Sequence, residues 1–539
     1  TLYIGEQVRE LDVSLPLEQP RSDVLFSTSQ VSAMISRAVG LGASAVRRTA
    51  ASRAALAATR AGSAVTVPDG SQNAYEIWRT QHLKEQSVVP PPKVVEEPPS
   101  QVQAWIGAGA DSAVASLLDT ESLNRCKADL SRLPPVDEVE LRQSRQRRLQ
   151  EQLRLDGFDG ALMYDQINVR YACGVRNMQL WCNHNRVRYC FLPRDGKAVL
   201  FDFFNCEHLV EENDGWCAVG EQRSAKQFDV QYTGAGHRNR RREMIELWAK
   251  DLFGVLEKHS GRRPKIAVDV CPADGLSALE GLGVTCVDGQ RVFEMARRIK
   301  TPQELIAQKH SARVCEEALA QMRRATRPGV TENQVWGVLC AVNAMLGGDY
   351  IETRLVTSGE RTNPLYYEAS ERVLQEGDLL MIDTDMIGPW GYNTDISRTW
   401  RCPPGSPPSE TQKELYSLAH DQVHHNMSLI KAGVTFQEFR ENSWKIPKKY
   451  SDLEVCVLVH GEGLRNEYPN VYPRKYGDDQ VEGVFEENMT VCIESYIGEK
   501  GGREGVKLEQ MGRITPTGVE LIADFPFEET MVRPRRDLD

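Results

Sequence analysis

The stretch that decides the fold is Met381-Ile382-Asp383-Thr384-Asp385-Met386-Ile387-Gly388-Pro389-Trp390-Gly391-Tyr392-Asn393-Thr394-Asp395. It predicts two strands joined by a turn over 388–391, because glycine and proline favour tight turns. Asp383 and Asp385 are two residues apart, which would place both on one face of a strand, and the turn returns Asp395 beside them. Three converging carboxylates repel one another unless they are protonated or bind a cation. The stretch is therefore a candidate metal site.

Three later segments add candidate ligands. They are His460 in Val459-His460-Gly461-Glu462, Glu494 in Val491-Cys492-Ile493-Glu494, and Glu509 in Lys507-Leu508-Glu509-Gln510. Both glutamates stand in otherwise apolar or β-rich runs, where a lone buried carboxylate is costly. Mostly carboxylate ligands with one imidazole suit two divalent transition-metal ions, such as Fe, Mn, Co or Zn. Such a pair activates water or polarises a substrate carboxylate.

Bulk composition excludes several classes of protein. A chain of 539 residues is long enough for two or three domains. The net charge of -11 argues against nucleic-acid binding. No run approaches the roughly 18 apolar residues of a membrane span. The thirteen cysteines contain no CxxC pair, which indicates reduced thiols in a cytosolic or matrix-like compartment.

Residues 1–134 are predicted to form a long extended arm rather than a domain. Between residues 24 and 68 there are five arginines and no acidic residue, which resembles a mitochondrial presequence in composition. A small-residue helix is predicted over 31–60, and a stiff Pro-rich linker follows over 88–99. An arm this poor in large apolar residues does not order itself, so it is either a floppy extension or is ordered by protein partners or by the chain's own globular body. Binding to protein partners is the expectation.

The pattern over 135–299 is that of an α/β domain. Helices are predicted over 143–155, 241–257 and 275–282, and strands over 158–164, 187–192, 198–203 and 265–269. Two distinctive runs, Asn168-Val169-Arg170-Tyr171 and Asn177-Met178-Gln179-Leu180-Trp181, fit a buried strand pair. The alternative is that the amide and the Trp reach a neighbouring active site.

Residues 300–539 are predicted to form a second domain, with helices packed on a curved sheet. Helices are expected over 301–324, 331–346, 410–431 and 436–445. Strands are expected over 350–357, 379–385, 395–401, 453–460, 490–496 and 506–514. The candidate ligands lie on or beside these strands.

The chain resembles the creatinase, aminopeptidase P and methionine aminopeptidase family, which has the pita-bread fold. The resemblance lies in the order of the candidate ligands, Asp, Asp, His, Glu, Glu, on strands that follow a smaller α/β domain. The chain is most similar to its dimethylsulfoniopropionate (DMSP) lyase branch. The matching runs include Ile351-Glu352-Thr353-Arg354-Leu355, Ser358-Gly359-Glu360-Arg361-Thr362-Asn363-Pro364 and Thr394-Asp395-Ile396-Ser397-Arg398. The resemblance implies a creatinase-type N-terminal domain, a pita-bread C-terminal domain, all six metal ligands and a homodimer. It also suggests Trp181, Asn177 and Arg361 as substrate contacts.

Departures from the family limit what the resemblance implies. Family peptidases carry a His in the segment matching 363–366 and a second His soon after the metal His, and neither is present. Peptide hydrolysis is therefore disfavoured. The lyase branch has an Asp as general base six residues after the metal His, where this chain has Asn466, and a Tyr where it has Val455. An amide does not act as a general base near neutral pH. Glu462, Glu467 and a metal-bound hydroxide are the alternative proton acceptors.

Two functional hypotheses follow. The first is a dinuclear metalloenzyme, a lyase or hydrolase acting on a small carboxylate-bearing substrate. The second is a catalytically degenerate accessory subunit of a mitochondrial multiprotein complex, anchored by its arm. The presequence-like composition favours a mitochondrial location, with the cytoplasm as the alternative.

Overall fold

The computed structural model describes residues 117–236, 238–261, 263–403, 405, 407–455, 457–473 and 482–533. The predicted arm lies outside the described residues as far as residue 116, and with it the predicted helix over 31–60 and the Pro-rich linker. None of the helices in the described ranges combines the length and apolar character that crossing a bilayer requires.

The helices of the N-terminal half are α1 (Thr120–Leu130), α2 (Glu138–Leu155), α3 (Gln166–Cys173), α4 (Gln179–His184), α5 (Glu207–Glu211), α6 (Val230–Thr233), α7 (Arg238–Ser260), α8 (Ala273–Gly281) and α9 (Gln290–Arg297). Those of the C-terminal half are α10 (Pro302–Ala325), α11 (Glu332–Met345), α12 (Glu410–Leu429) and α13 (Phe436–Asn442).

The strands of the N-terminal half are β1 (Gly160–Met163), β2 (Tyr189–Pro193), β3 (Ala198–Asp202), β4 (Val219–Ser224), β5 (Lys265–Val268) and β6 (Thr285–Asp288). Those of the C-terminal half are β7 (Tyr350–Ile351), β8 (Val356–Ser358), β9 (Leu379–Asp383), β10 (Met386–Ile387), β11 (Asn393–Thr394), β12 (Ser397–Arg401), β13 (Val459–Glu462), β14 (Asn466–Val471), β15 (Thr490–Gly498), β16 (Gly505–Ile514) and β17 (Val519–Leu521).

The N-terminal domain is a mixed six-stranded sheet in the order β4-β3-β2-β1-β5-β6. Its central strand β1 pairs antiparallel with β2 and parallel with β5. Leu149 and Phe293 belong to the apolar cluster on one face, which α2 and α9 cover. Trp248 and Leu252 of α7 cover the other face. The predicted α/β domain is confirmed, with both faces of its sheet buried.

The first of the two distinctive runs lies inside a helix and the second enters another helix at its third residue, so their prediction as a strand pair is wrong. Asp165 caps α3 by accepting a hydrogen bond from the Ile167 N–H at 2.8 Å. Gly174 ends the helix in a left-handed conformation with φ 72°. Helix α4 then begins at Gln179. The helix cap at Asp165 therefore outweighs the β propensity of residues 168–171.

The C-terminal domain is a curved arrangement of short sheets between helices. Its largest sheet has the order β14-β13-β15-β16-β17, and β12-β9-β8 forms a second. Met511 and Ile382 pack with α10 and α11, whereas Leu508 and Leu379 pack with α12. Helices thus cover both faces, as the sequence predicts for a pita-bread domain.

The hairpin over 381–395 forms, but one of its predicted features is wrong. Strand β9 ends at Asp383, and Asp385 has a left-handed φ of 35°. The Thr384 hydroxyl accepts a hydrogen bond from the Ile396 N–H and donates one to the Thr394 carbonyl, both at 2.9 Å. Because these bonds kink the backbone, Asp383 and Asp385 do not share the face of one continuous strand.

Helix α1 belongs to the C-terminal domain, although the predicted arm extends to residue 134. Leu123 and Cys126 are buried in the same cluster as α10 and α11. Asp129 pairs with Arg313 of α10 at 3.1 Å. Three residues of the helix thus bind it to the body, and the sequence missed this because its apolar residues are few.

The two domains meet at a buried ion cluster. Glu467, which enters from β14, lies 3.0 Å from Arg297 Nε and 2.8 Å from Lys300 Nζ. All three side chains are about 1% exposed. Arg297 also donates a hydrogen bond to Asn168 of α3. This cluster fixes β14 against the N-terminal domain.

Candidate metal centre

Backbone pairing gathers the predicted ligands into one buried cluster: Asp383, Asp385, Asp395, His460, Glu494 and Glu509. Glu494 of β15 and Glu509 of β16 stand directly opposite each other. His460 of β13 is opposite Cys492, two residues before Glu494. Alternate residues of a strand share a face, so His460 and both glutamates point to the same side of the sheet.

His460 is the centre of one half of the cluster. Its Nε2 lies 3.2 Å from Glu494 Oε1, 3.2 Å from Glu509 Oε1 and 3.9 Å from Asp395 Oδ2. Its Nδ1 faces Glu462 Oε2 at 3.5 Å. A carboxylate behind a metal-binding imidazole orients the ring. Glu462 is therefore placed to support His460.

The three aspartates form the other half. One oxygen from each of Asp383, Asp385 and Asp395 lies within 4.8 Å of the others. Burial and the neighbouring Asp383 charge raise the pKa of Asp385 to about 6. Burial and the Asp385 charge raise the pKa of Asp395 well above its usual range. Mutual repulsion of this kind is relieved when a cation binds between the carboxylates.

The donor set fits divalent metal ions. Asp395, His460 and Glu509 form one group whose ligand atoms lie within 4.8 Å of one another, and the three aspartates form another. Asp395 belongs to both groups. Buried carboxylates with one imidazole are ligands for Mn, Fe, Co or Zn. These two groups adjoin and share one carboxylate, and a third group in the described residues, His460 with Glu462 and Cys492, adjoins them through the imidazole.

A buried lysine also lies in the cluster. Lys507 Nζ is 2.6 Å from Asp383 Oδ2, 2.9 Å from Glu509 Oε2 and 3.2 Å from Glu494 Oε2. It also donates to Ser397 Oγ at 2.8 Å. These four contacts satisfy the ammonium group without solvent. A fixed positive charge is therefore part of the site.

The cluster opens into a cavity of about 570 Å³. Five of the six predicted ligands line it, and Glu509 does not. The other lining residues are Glu352, Thr353, Leu355, Tyr366, Glu368, Val457, Arg465, Asn466, Asn470 and Lys507. Arg465 is held by Asp165 at 2.8 Å and by Glu294 at 3.1 Å, so the N-terminal domain positions one wall of the cavity.

The residues predicted to matter for proton transfer occupy three different environments. Asn466 lines the cavity, at the position where the lyase branch would have its base. Glu462 is fully buried behind His460 and is not part of the lining. Glu467 is bound to Arg297 and Lys300 at the domain junction. The geometry thus argues against both glutamates as alternative bases.

The predicted substrate contacts do not line this cavity. The Asn177 amide donates to Asp202 Oδ1 at 2.8 Å and borders a separate cavity of about 770 Å³. Trp181 is 41% exposed and packs on Phe203 with ring centroids 5.9 Å apart. Arg361 donates to Glu332 Oε2 at 3.1 Å. Within one chain, none of the three residues contacts the candidate metal-binding carboxylates.

Glu332 orders the loop that carries Arg361. Its Oε1 accepts from the Ser358 N–H and hydroxyl, and its Oε2 accepts from the Ser370 N–H and hydroxyl. The residue is fully buried, so each of these donors depends on it. Tyr366, which lines the metal cavity, lies on the loop between the two serines.

We expect Glu332→Gln to lower the free energy of unfolding by about 2 kcal/mol. An amide NH₂ would replace one carboxylate oxygen, and the N–H and hydroxyl of one serine would then lose their acceptor. Chemical denaturation measures the change. Glu371→Gln is the matched control, since Glu371 accepts from Asn333 at 2.6 Å at an exposed position. Equal stability of the two variants would contradict the role assigned to Glu332.

Sequence reasoning missed two residues of the site. Lys507 stands two residues before Glu509 on the same strand, so the alternation of a strand could have indicated that both face the cluster. Glu352 lies beside Asp385, where the Glu352 N–H donates to the Asp385 carbonyl at 3.0 Å. No sequence spacing predicts that contact, because it depends on the pairing of β7 with β10.

The mixed N-terminal sheet, the curved C-terminal domain and the buried carboxylate cluster define a two-domain pita-bread protein. Family models agree: residues 145–299 match the Creatinase/Prolidase N-terminal domain, and residues 307–516 match metallopeptidase family M24. The chain belongs to this creatinase-like metalloenzyme family.

Individual relatives refine the comparison. The dimethylsulfoniopropionate lyase DddP of Roseobacter denitrificans is 35% identical over 413 residues, which cover 75% of this chain and 90% of that protein. The protein of the same name from Roseovarius nubinhibens is 34% identical, over 73% and 87% of the two chains. The solved Xaa-Pro dipeptidase from Bacillus anthracis shares the fold, with a TM-score of 0.57 and 23% identity over 72% of this chain and 98% of its own.

Proposed function

We propose that this protein is a metal-dependent lyase or hydrolase that acts on a small carboxylate-bearing substrate. The observation that carries the proposal is the buried cluster of five carboxylates and His460 that opens into the 570 Å³ cavity. The similarity to two proteins named DMSP lyase supports elimination as the reaction. We propose Fe, Mn, Co or Zn as the metal.

The metal pair, when bound, would polarise a substrate carboxylate and acidify the neighbouring C–H bond. A side chain of the cavity must then accept that proton while the carbon–leaving-group bond breaks. The electron pair of the C–H bond becomes the new carbon–carbon double bond, and the leaving group departs with the electrons of its own bond. Asn466 cannot accept the proton, because an amide is not basic near neutral pH.

Glu352 is the best-placed proton acceptor on this chain. It lines the cavity, and its carboxylate forms no hydrogen bond or salt bridge with another residue of the described part of the chain. Shielding from water, together with the charge of Asp385, raises the pKa of the Glu352 carboxyl to about 7. A general base is most effective when its pKa lies near the working pH. Glu352 therefore replaces the missing aspartate in the proposed mechanism.

We expect the rate of dimethylsulfide release from DMSP to rise as the pH increases through about 7 and to level off above it, because Glu352 accepts a proton only when ionised. Glu352→Gln should lower kcat by about 10²–10⁴-fold and remove this pH dependence. Gas chromatography of the metal-loaded protein measures product. Glu368→Gln is the control from the same cavity and should keep the wild-type pH profile. An unchanged profile in Glu352→Gln would rule out Glu352 as the base.

The amide at Asn466 supports a second candidate function, a catalytically degenerate accessory subunit of a mitochondrial complex. In that case residues 1–116 would anchor the chain to protein partners, and α1 would remain with the body. Metal-loaded protein without turnover, combined with loss of complex association on deletion of residues 1–116, would favour this candidate.

We also propose that the protein forms a homodimer. The exposed apolar side chains Met178, Leu180 and Trp181 support this proposal.

A further inference from the structure

We propose that the cavity of about 770 Å³ between the two domains binds a small organic anion, a carboxylate carried on an apolar body. Helix α2 and residues 174–179 line this interdomain cavity on one side, and α10 and the turn over 388–391 line it on the other. Among the described residues it shares no lining residue with the cavity of the metal centre. Its volume suits one small molecule. The proposal goes beyond the proposed function and does not depend on it.

Arginines dominate the polar part of the lining. The charged lining residues are four arginines and two glutamates: Arg142, Arg145, Arg170, Arg176, Glu138 and Glu212. The side chains of the first three arginines are at most 8% exposed. A guanidinium group this far from water is costly unless negative charge lies close to it. The charge of the lining therefore favours an anionic ligand.

One carboxylate serves two of these arginines. Asp349 accepts from Arg170 through Oδ2 at 2.5 Å and contacts Arg176 Nη2 through Oδ1 at 2.8 Å. Asp349 is 4% exposed and does not line the cavity, so the cavity faces the two cations and not their shared counter-ion. Burial lowers the pKa of Arg170 in spite of Asp349, and the charges of Arg176 and Arg145 lower it further. A second negative charge in the cavity would stabilise the charged form of Arg170.

A buried amide supplies a further donor. Gln179 Oε1 accepts a hydrogen bond from Arg170 Nη1 at 3.3 Å. Gln179 Nε2 is buried and forms no well-aligned hydrogen bond in the described part of the chain, although the Tyr350 hydroxyl is close to it. A buried donor without an acceptor costs free energy. A carboxylate oxygen bound in the cavity would satisfy this donor.

The remaining lining is largely apolar and fits the body of such a ligand. Leu141 is buried, and Leu209, Leu346 and Trp390 line the same space. Met178 and Trp390, which both line the cavity, have left-handed backbone with φ 37° and 56°. This conformation is costly for residues other than glycine and is concentrated at functional sites. Apolar walls with a few convergent polar groups are typical of small-molecule sites.

Octanoate is the probe, because it joins a carboxylate to a short apolar chain. 1-Octanol has the same chain without the charge, and acetate has the charge without the chain. Isothermal titration calorimetry of the whole 539-residue chain should show octanoate binding, with the other two probes at least about 10-fold weaker. Because the proposed metal centre could also bind a carboxylate, both Mn²⁺-loaded and chelator-treated protein are titrated. The cavity should bind octanoate in both.

Arg176→Gln and Gln179→Leu should each weaken octanoate binding by about 10-fold, because each removes a donor from the cavity. Arg176 is 54% exposed, so its replacement should leave the circular dichroism spectrum unchanged. Arg147→Gln is the matched control, since Arg147 is 58% exposed, pairs with Glu140 and does not line the cavity. It should bind octanoate as wild-type protein does.

Three results would overturn the proposal. Equal affinities for 1-octanol and octanoate would show that no charged group of the cavity takes part. Octanoate binding that is lost on chelation would place the ligand at the metal centre. An unchanged octanoate affinity in both site variants would show that the anion binds elsewhere.

Discussion

Replacing Asp395 by Asn should abolish binding of both metal ions, because Asp395 is the one residue in both ligand groups. Asp385 and Glu509 remain in the variant, but each group loses its shared carboxylate. We expect metal affinity to fall by more than about 100-fold, since even changes outside the ligand sphere cost 10–100-fold. Any turnover should disappear with the metal. Metal analysis after equilibrium dialysis measures the effect.

Asp452→Asn is the control for this experiment. Asp452 is 63% exposed and lies 3.7 Å from Lys500, away from the cluster. Its loss should leave metal content unchanged. If Asp395→Asn retained wild-type metal content, the shared-carboxylate assignment would be wrong, and the ions would have to bind elsewhere.

Replacing Glu467 by Gln should produce the largest loss of stability. The carboxylate is the common partner of Arg297 and Lys300, and all three side chains are about 1% exposed. Removing one partner from a buried ion cluster leaves uncompensated charge and costs about 3–5 kcal/mol. Because the cluster joins β14 to the domain junction, we also expect the unfolding transition to broaden if the domains separate first.

Glu520→Gln is the surface counterpart. Glu520 pairs with Arg513 and Lys309 but is 43% exposed, so its removal should cost less than about 1 kcal/mol. Denaturant titration of both variants makes the comparison. A Glu467→Gln variant with wild-type stability but no turnover would show that this carboxylate acts in catalysis rather than in the junction.

The sequence singled out the candidate metal ligands because carboxylates inside apolar runs are costly without a cation. The predicted positions Asp395, His460 and Glu494 all lie in one buried cluster. Their pairing was not predictable, since the register that sets Glu494 opposite Glu509 is a property of the folded sheet. The two-residue spacing between Lys507 and Glu509 could have indicated that both side chains lie on the same face of the strand.

Other features depended on contacts that are distant in sequence. Glu467 resembles a free acid beside Asn466, yet its partner Lys300 is 167 residues away and binds it in the domain junction. The helix at 166–173 was predicted as a strand because its cap, Asp165, was not recognised. Glu352 becomes a candidate base only through its contact with Asp385. Tertiary structure thus determines the roles of Glu467 and Glu352, whereas the missed helix depends on a local cap that the sequence does contain.

The metal content of the purified wild-type chain tests the central claim most directly. Inductively coupled plasma mass spectrometry should find about two equivalents of a divalent metal after equilibration with excess Mn²⁺. The ligand set centred on Asp395 and His460 predicts this result. Absence of bound metal after loading, in a chain that is folded and stable, would contradict the account.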